Sequence, residues 1–284
     1  MAIQSIIQSF KWLIHSPYVW LSGICTGILL ITGYLSFQLE NRWIDCICVF
    51  LMLFLLPFFL AGTYGIISKN ESTFALFMKY ATHNYFRCLL SLILVLVGGL
   101  VIFKFIYYIL SVSGLSSFLV FQISFLIFIS IILFGYFGDV ISVIYQKSVY
   151  SSFKDSCSKV FNGSFQFFIF YMVNLFLIFG FMQLLLITVS LILGDHTMSS
   201  LVNDSYQNVT DQSVIINKVL ELITPSQLLL IRVLMSLFVM ILIPILSVYK
   251  ACFVIDLQKA QQTVQLNDDI DGEYDENGRW YKYK

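Results

Sequence analysis

Six apolar stretches, each long enough to cross the roughly 30 Å hydrocarbon core of a bilayer as an α-helix, constrain this chain more than any other feature. They run approximately from Tyr18 to Phe37, Ile44 to Ile67, Cys88 to Leu110, Phe118 to Tyr145, Phe165 to Leu193 and Leu228 to Ile255. Hydrocarbon offers a peptide group no water to bond, so each stretch must satisfy its backbone internally. The expected fold class is all-α, a polytopic transmembrane helical bundle. Composition agrees, since 59% of the 284 residues are apolar and 11% are charged, whereas a soluble domain carries about 25% charge. Long polar stretches occur only from Asn203 to Asn217 and after Gln258. Residues 1–258 are therefore expected to form one membrane domain and residues 259–284 a short acidic and aromatic tail.

The last three stretches exceed what a perpendicular crossing needs, which predicts tilt, kinks or projection. Pro244, the Gly135/Gly138 pair and Pro57 are the expected bends, because each weakens the regular hydrogen-bond ladder or its packing. The N-terminus is not expected to be a cleaved signal peptide: an amphipathic stretch precedes a full-length span, with no A-x-A-like site after it.

Basic residues set the expected orientation. One side collects Lys11, Lys69, Lys79, Arg87, Lys147, Lys154, Lys159, Lys250, Lys259, Arg279, Lys282 and Lys284, and the other has Arg42 and Lys218. Both termini are thus expected in the cytoplasm, with the cell membrane as the location. Net charge is zero, so nucleic acid is not an expected partner. The cysteines Cys25, Cys46, Cys48, Cys88, Cys157 and Cys252 show no C-x-x-C spacing, and most read as reduced, buried small residues.

Before each odd-numbered span lies an apolar stripe at helical spacing: Ile3, Ile6, Ile7, Phe10, Leu13 and Ile14; then Phe74, Phe77, Met78, Ala81 and Tyr85; then Val149, Phe153, Cys157, Val160 and Phe161. Such helices lie in the membrane interface. Ser68 and Glu71 have capping-box spacing at the start of the second. Aligning Phe10, Phe77 and Phe153 brings Tyr18, Tyr85 and Phe161 into register, so the chain reads as three units of interfacial helix plus hairpin. The same order would also arise in any six-helix protein with amphipathic loops.

The segments SIIQSFKWLIHSPYVWLSG, STFALFMKYATHNYFRCLLSL and SVYSSFKDSCSKVFNGSFQFF resemble the membrane domain attached to some bacterial glycerophosphodiester phosphodiesterases. They are similar also to related six-helix prokaryotic membrane proteins. The resemblance covers about residues 3 to 258 and implies a fold rather than an activity. The chain has no room for the soluble catalytic domain of that phosphodiesterase, and no catalytic residue maps onto it.

Ionisable residues inside spans are the default functional candidates, because desolvating them is expensive. Four qualify: Lys104 and Arg232 toward the outer boundary, Asp139 and Lys250 toward the cytoplasmic one. Each reads either as snorkelling or interhelical pairing, or as the lining of a polar cavity. Gly23 and Gly27 form a G-x-x-x-G motif that suits close helix packing within the chain. The long outer connection from Gly194 to Ser226 carries the sequons of Asn203 and Asn208, candidate glycosylation sites, and an apolar stripe between Val214 and Ile223. Sequons at Asn70 and Asn162 fall on the cytoplasmic side.

The tail segment NDDIDGEYDENG imitates a calcium loop, but Gly278 stands where the closing glutamate belongs, and a solvated acidic tail is the plainer reading. Its RWYKYK end could return to an anionic leaflet or dock a partner. The chain contains no phosphate loop, no H-E-x-x-H and no G-x-S-x-G, and its three histidines are scattered. Neither catalysis nor a cofactor is expected. The expected function is a noncatalytic scaffold or accessory subunit contacting membrane lipid, or a protein partner through its tail or interfacial helices. The alternative is a carrier or lipid-moving protein working between the repeats.

Overall fold

The computed structural model describes residues 2–38, 42–193, 224–270, 272–274 and 280–282. Nine α-helices are present among them: α1 (Ala2–His15), α2 (Leu21–Gln38), α3 (Arg42–Lys69), α4 (Phe74–Val112), α5 (Ser117–Gly135), α6 (Gly138–Ile144), α7 (Val149–Asn162), α8 (Ser164–Leu193) and α9 (Pro225–Ile270). Six helical segments are long and apolar enough to cross a membrane, the fourth comprising α5 and α6 together. The chain is an all-α, multi-pass bundle of the membrane class.

At one end of the bundle, α1 lies against α9. Its buried face is made of small residues, Ala2, Ser5 and Ser9, with Leu13, and Ser5 donates a 2.6 Å hydrogen bond to Asp256 on α9. Ile3, Ile7, Phe10 and Ile14 point outward. Four of the six residues of the apolar stripe thus face the surroundings, while Ile6 and Leu13 join the small residues in the packing, a division that suits an interfacial helix. A 3₁₀ turn over Pro17–Trp20 follows; Trp20 donates its indole N–H to the Leu13 carbonyl, covering the frayed end of α1.

The second unit differs from the expected pattern. No separate interfacial helix precedes its span: α4 runs without interruption for 39 residues, about 58 Å at 1.5 Å per residue. The proposed capping box is also replaced. Asn70 adopts a left-handed φ of 56°, and the amides of Asn70 and Glu71 bond back to the carbonyls of Ile67 and Ile66, closing α3 with a Schellman motif. Glu71 therefore belongs to the end of α3. The helix start is capped by Thr73, whose hydroxyl accepts from the Leu76 amide.

The bend expected at Gly135/Gly138 is a true break between α5 and α6. A Cβ on Gly135 would meet Val95 at 2.7 Å and Phe153 at 2.8 Å, so glycine lets α4 and α7 close on the kink. Ser156 of α7 repairs the broken ladder, donating to the Phe134 carbonyl at 2.6 Å and accepting from the Phe137 amide at 3.3 Å. Pro57 and Pro244 both lie inside continuous helices. Pro244 has no N–H for the Met240 carbonyl, and Gly23 of α2 packs onto that freed oxygen: a Cβ there would stand 2.0 Å away. The Gly23/Gly27 motif thus joins α2 to α9 within the chain.

The N-terminal end of α8 is buried through Phe167 and Phe170, whereas Phe176, Phe179, Met182, Leu186 and Ile187 further along are exposed. Rings from the α5–α6 break, α8 and α9 pack together, with Phe170 5.0 Å from Phe137, 4.5 Å from Phe253 and 4.7 Å from Tyr249 between centroids. The last helix continues past residue 259, where the tail was expected to begin, as far as Ile270. Beyond it, Gly272–Tyr274 and Trp280–Lys282 pair as two antiparallel strands. The would-be calcium loop is thereby divided between a helix end and a strand. All six cysteines are free; Cys48, Cys88 and Cys252 are buried, Cys25 and Cys157 half-buried and Cys46 exposed.

Candidate functional site: a buried ion pair where three crossings meet

Two of the four in-span ionisable residues meet. Lys250 of α9 donates to Asp139 of α6 at 2.6 Å, and both are almost wholly buried, at 5% and 2% exposure. Tyr64 of α3 donates its hydroxyl to the other carboxylate oxygen at 3.0 Å. The ammonium also sits 4.1 Å from the centroid of Tyr136, in the break between α5 and α6, where the ring's negative face attracts it. Each return crossing of the three hairpins therefore supplies one member: a phenol from α3, an acid from α6 and an amine from α9.

Local structure explains how the acid reaches this position. The break at Tyr136–Phe137 starts a new helix at Gly138, so Asp139 falls in its first turn, where the peptide dipoles favour a negative charge. Ser142 donates to the Asp139 carbonyl at 2.7 Å and lies 3.3 Å from the Arg87 carbonyl of α4, fastening α6 to α4. Asn84 and Cys88 extend the buried face of α4, and Arg87 donates to the Asn84 side chain at 3.4 Å.

Lys104 lies exposed on the far half of α4. Arg232 is half-buried on α9, its guanidinium 5.8 Å from the ring centroid of Tyr34 on α2. It borders a groove of about 350 Å³ lined with Leu29, Leu30, Gly33, Tyr34, Cys48, Val49 and Met52. A second cavity, about 510 Å³, lies along the polar side of α1 with Gln4, Gln8, Lys11 and His15. A third, about 300 Å³, lies between α3 and α4 at Phe54, Phe58 and Tyr85. None of these touches Asp139 or Lys250. Asn203 and Asn208 lie outside the described residues, as does the apolar stripe from Val214 to Ile223. Among the described residues, no group of three His, Cys, Asp or Glu side chains is placed to hold a metal ion.

Outside the spans, α7 carries a polar rim. Lys147 pairs with Asp155, and Lys159 donates to the Tyr145 hydroxyl at 3.2 Å while its ammonium lies 4.5 Å from the ring centroid. Burial pushes the Lys159 ammonium below the ordinary lysine range, partly opposed by Asp155. Burial, then the Asp155 charge, pushes the Tyr145 phenol up to about 12.

Sequence reasoning singled out Asp139 and Lys250 by their cost in a bilayer and missed Tyr64, Tyr136 and Ser142. A positional signal for Tyr64 exists. It precedes Phe74, the first residue of α4, by ten positions (74 − 64), as Asp139 precedes Val149, the first residue of α7 (149 − 139). No family model, curated protein or solved structure matches the chain.

Proposed function

We propose that this chain is a noncatalytic scaffold or accessory subunit of the cell membrane, with both termini in the cytoplasm, that contacts lipid or a protein partner through α1, α7 and the tail. The observation that carries the reading is the disposition of its most deeply buried charges. Asp139 and Lys250 neutralise each other, and Tyr64 takes the remaining carboxylate oxygen. A carrier needs a polar path near the midplane whose groups are available to cargo; here the acid and the amine face one another. The outward Ile3, Ile7, Phe10 and Ile14 of α1 suit a helix lying in the inner leaflet, where the clustered lysines would meet anionic headgroups at about 1 kcal/mol each.

The test is reconstitution of the full chain in phosphatidylcholine–phosphatidylglycerol vesicles with dithionite-quenched fluorescent phospholipids and a panel of radiolabelled solutes. The expected result is no protein-dependent movement by either the wild type or Asp139→Asn. Protein-dependent movement abolished by Asp139→Asn would overturn the proposal in favour of a carrier. Labelling of cysteines placed at Ser72 and in the connection at Asn203, with an impermeant maleimide on intact cells, tests the orientation: Asn203→Cys should react and Ser72→Cys should not.

A further inference from the structure

The groove between α2, α3 and α9 sets a cation at one end of an apolar lining. Its walls are Leu29 and Leu30 from one helix and Val49 and Met52 from the next, and its one charged lining residue is Arg232. Gly33 contributes to the width: a Cβ there would stand in ordinary contact 3.8 Å from Cys48, so glycine leaves room that a larger side chain would fill. Arg232 is seven residues inside the first residue of α9 (232 − 225), and Tyr34 four residues before the last of α2 (38 − 34). At 1.5 Å per residue these depths are about 10 Å and 6 Å, near the boundary between headgroups and chains. The apolar lining at Leu29, Leu30 and Met52 lies deeper. The Tyr34 ring beside the guanidinium favours one orientation of its planar fork.

From this arrangement we infer that the groove is a binding site for one glycerophospholipid of the adjacent leaflet, with its phosphate on Arg232 and an acyl chain against Leu29, Leu30, Val49 and Met52. A guanidinium has five N–H donors, so it can bind a phosphate bidentately while serving another group. A phospholipid is the bilayer component that carries an anion at headgroup depth and a flexible apolar chain directly beneath it. Charge complementarity at one end and apolar complementarity at the other therefore select the same occupant. The inference rests on the reading of the chain as a membrane protein contacting lipid; whether the protein moves lipid is a separate measurement, so the two can fail independently.

The experiment uses the full chain in phosphatidylcholine nanodiscs doped with a phosphatidylglycerol bearing a diazirine on one acyl chain. After irradiation, labelled peptides are mapped by mass spectrometry. Label should concentrate on residues 29–34 and 48–52, and Arg232→Gln should lower it about tenfold or more, with Arg232→Lys intermediate. Gly33→Leu, which fills the groove and leaves the cation in place, should remove the label while unfolding at the wild-type temperature. A diazirine diacylglycerol with the same chains should not enrich there. Label spread evenly over the exposed faces of α4, α5 and α8, equal labelling by the diacylglycerol, or labelling unchanged by Arg232→Gln or by Gly33→Leu would each overturn the inference.

Discussion

Replacing Asp139 by Asn should destabilise the bundle far more than replacing Asp139 and Lys250 together. The pair is 2.6 Å apart with both members buried. Asparagine keeps the shape and can still accept from Tyr64, but it leaves the ammonium with the Tyr136 ring at 4.1 Å as its remaining electrostatic partner. Stranding one charge of a buried pair costs about 3–5 kcal/mol, and a cation–π contact returns about 0.5–2 kcal/mol. The net loss for Asp139→Asn should therefore lie between about 1 and 4.5 kcal/mol. Lys250→Met strands the carboxylate instead, which retains the Tyr64 hydroxyl at 3.0 Å, a bond to a charged group worth about 1.5–3 kcal/mol; its loss should be the smaller of the two. The Asp139→Asn/Lys250→Met double variant has no charge to strand and should unfold within about 1 kcal/mol of wild type, because apolar replacement of a buried pair is often neutral. Reversible unfolding in mixed micelles, followed by tryptophan fluorescence, closes the cycle. If the two single losses simply add, with coupling below about 0.5 kcal/mol, the claim that these charges neutralise one another in the folded protein is wrong.

Gly23→Ala should lower stability by about 1–3 kcal/mol, since its Cβ would meet the Met240 backbone oxygen at 2.0 Å and overpacking is relieved only by moving α2 off α9. Gly33→Ala, whose Cβ finds ordinary contact, should stay within about 0.5 kcal/mol in the same unfolding assay. Ser156→Ala removes both partners of the α5–α6 break and should cost about 1–3 kcal/mol, with faster hydrogen exchange at the Phe137 amide as the local readout. The α7 rim predicts a two-signed alkaline profile. Lys159 is depressed by burial, so the folded state binds fewer protons there and stability rises with pH up to the unfolded lysine value of about 10.4. Tyr145 is raised to about 12, so its stability contribution is lost as pH climbs from about 10 through 12. Lys159→Gln should flatten the rise and Tyr145→Phe the fall; curves unchanged by both would refute the assignment.

The six crossings were legible because span length and apolarity are local properties of the chain. So was the kink, since paired glycines weaken a helix wherever they occur. The division of α1 into a small-residue packing face and an outward apolar face was not, because a stripe of Ile and Phe reads equally as core or as membrane contact. Nor was the fusion of the second amphipathic segment into α4: the capping signal at Ser68 and Glu71 competed with a helix-ending motif at Asn70 that uses the same residues. At the site, Asp139 and Lys250 announced themselves by the expense of burying charge. Their meeting did not, since 111 residues separate them and pairing across that distance depends on how the hairpins pack. Tyr64 gave no chemical signal, because a tyrosine in an apolar helix is ordinary.

The distance in sequence between acid and amine has a consequence for biosynthesis. Asp139 leaves the ribosome 111 residues ahead of Lys250, an interval of about 6 to 22 s at 5–20 residues per second. Throughout that interval the nascent protein carries an unmatched carboxyl group in its fourth crossing. Arrival of α9 supplies the missing counterion, so closure of the interior waits on the synthesis of that crossing.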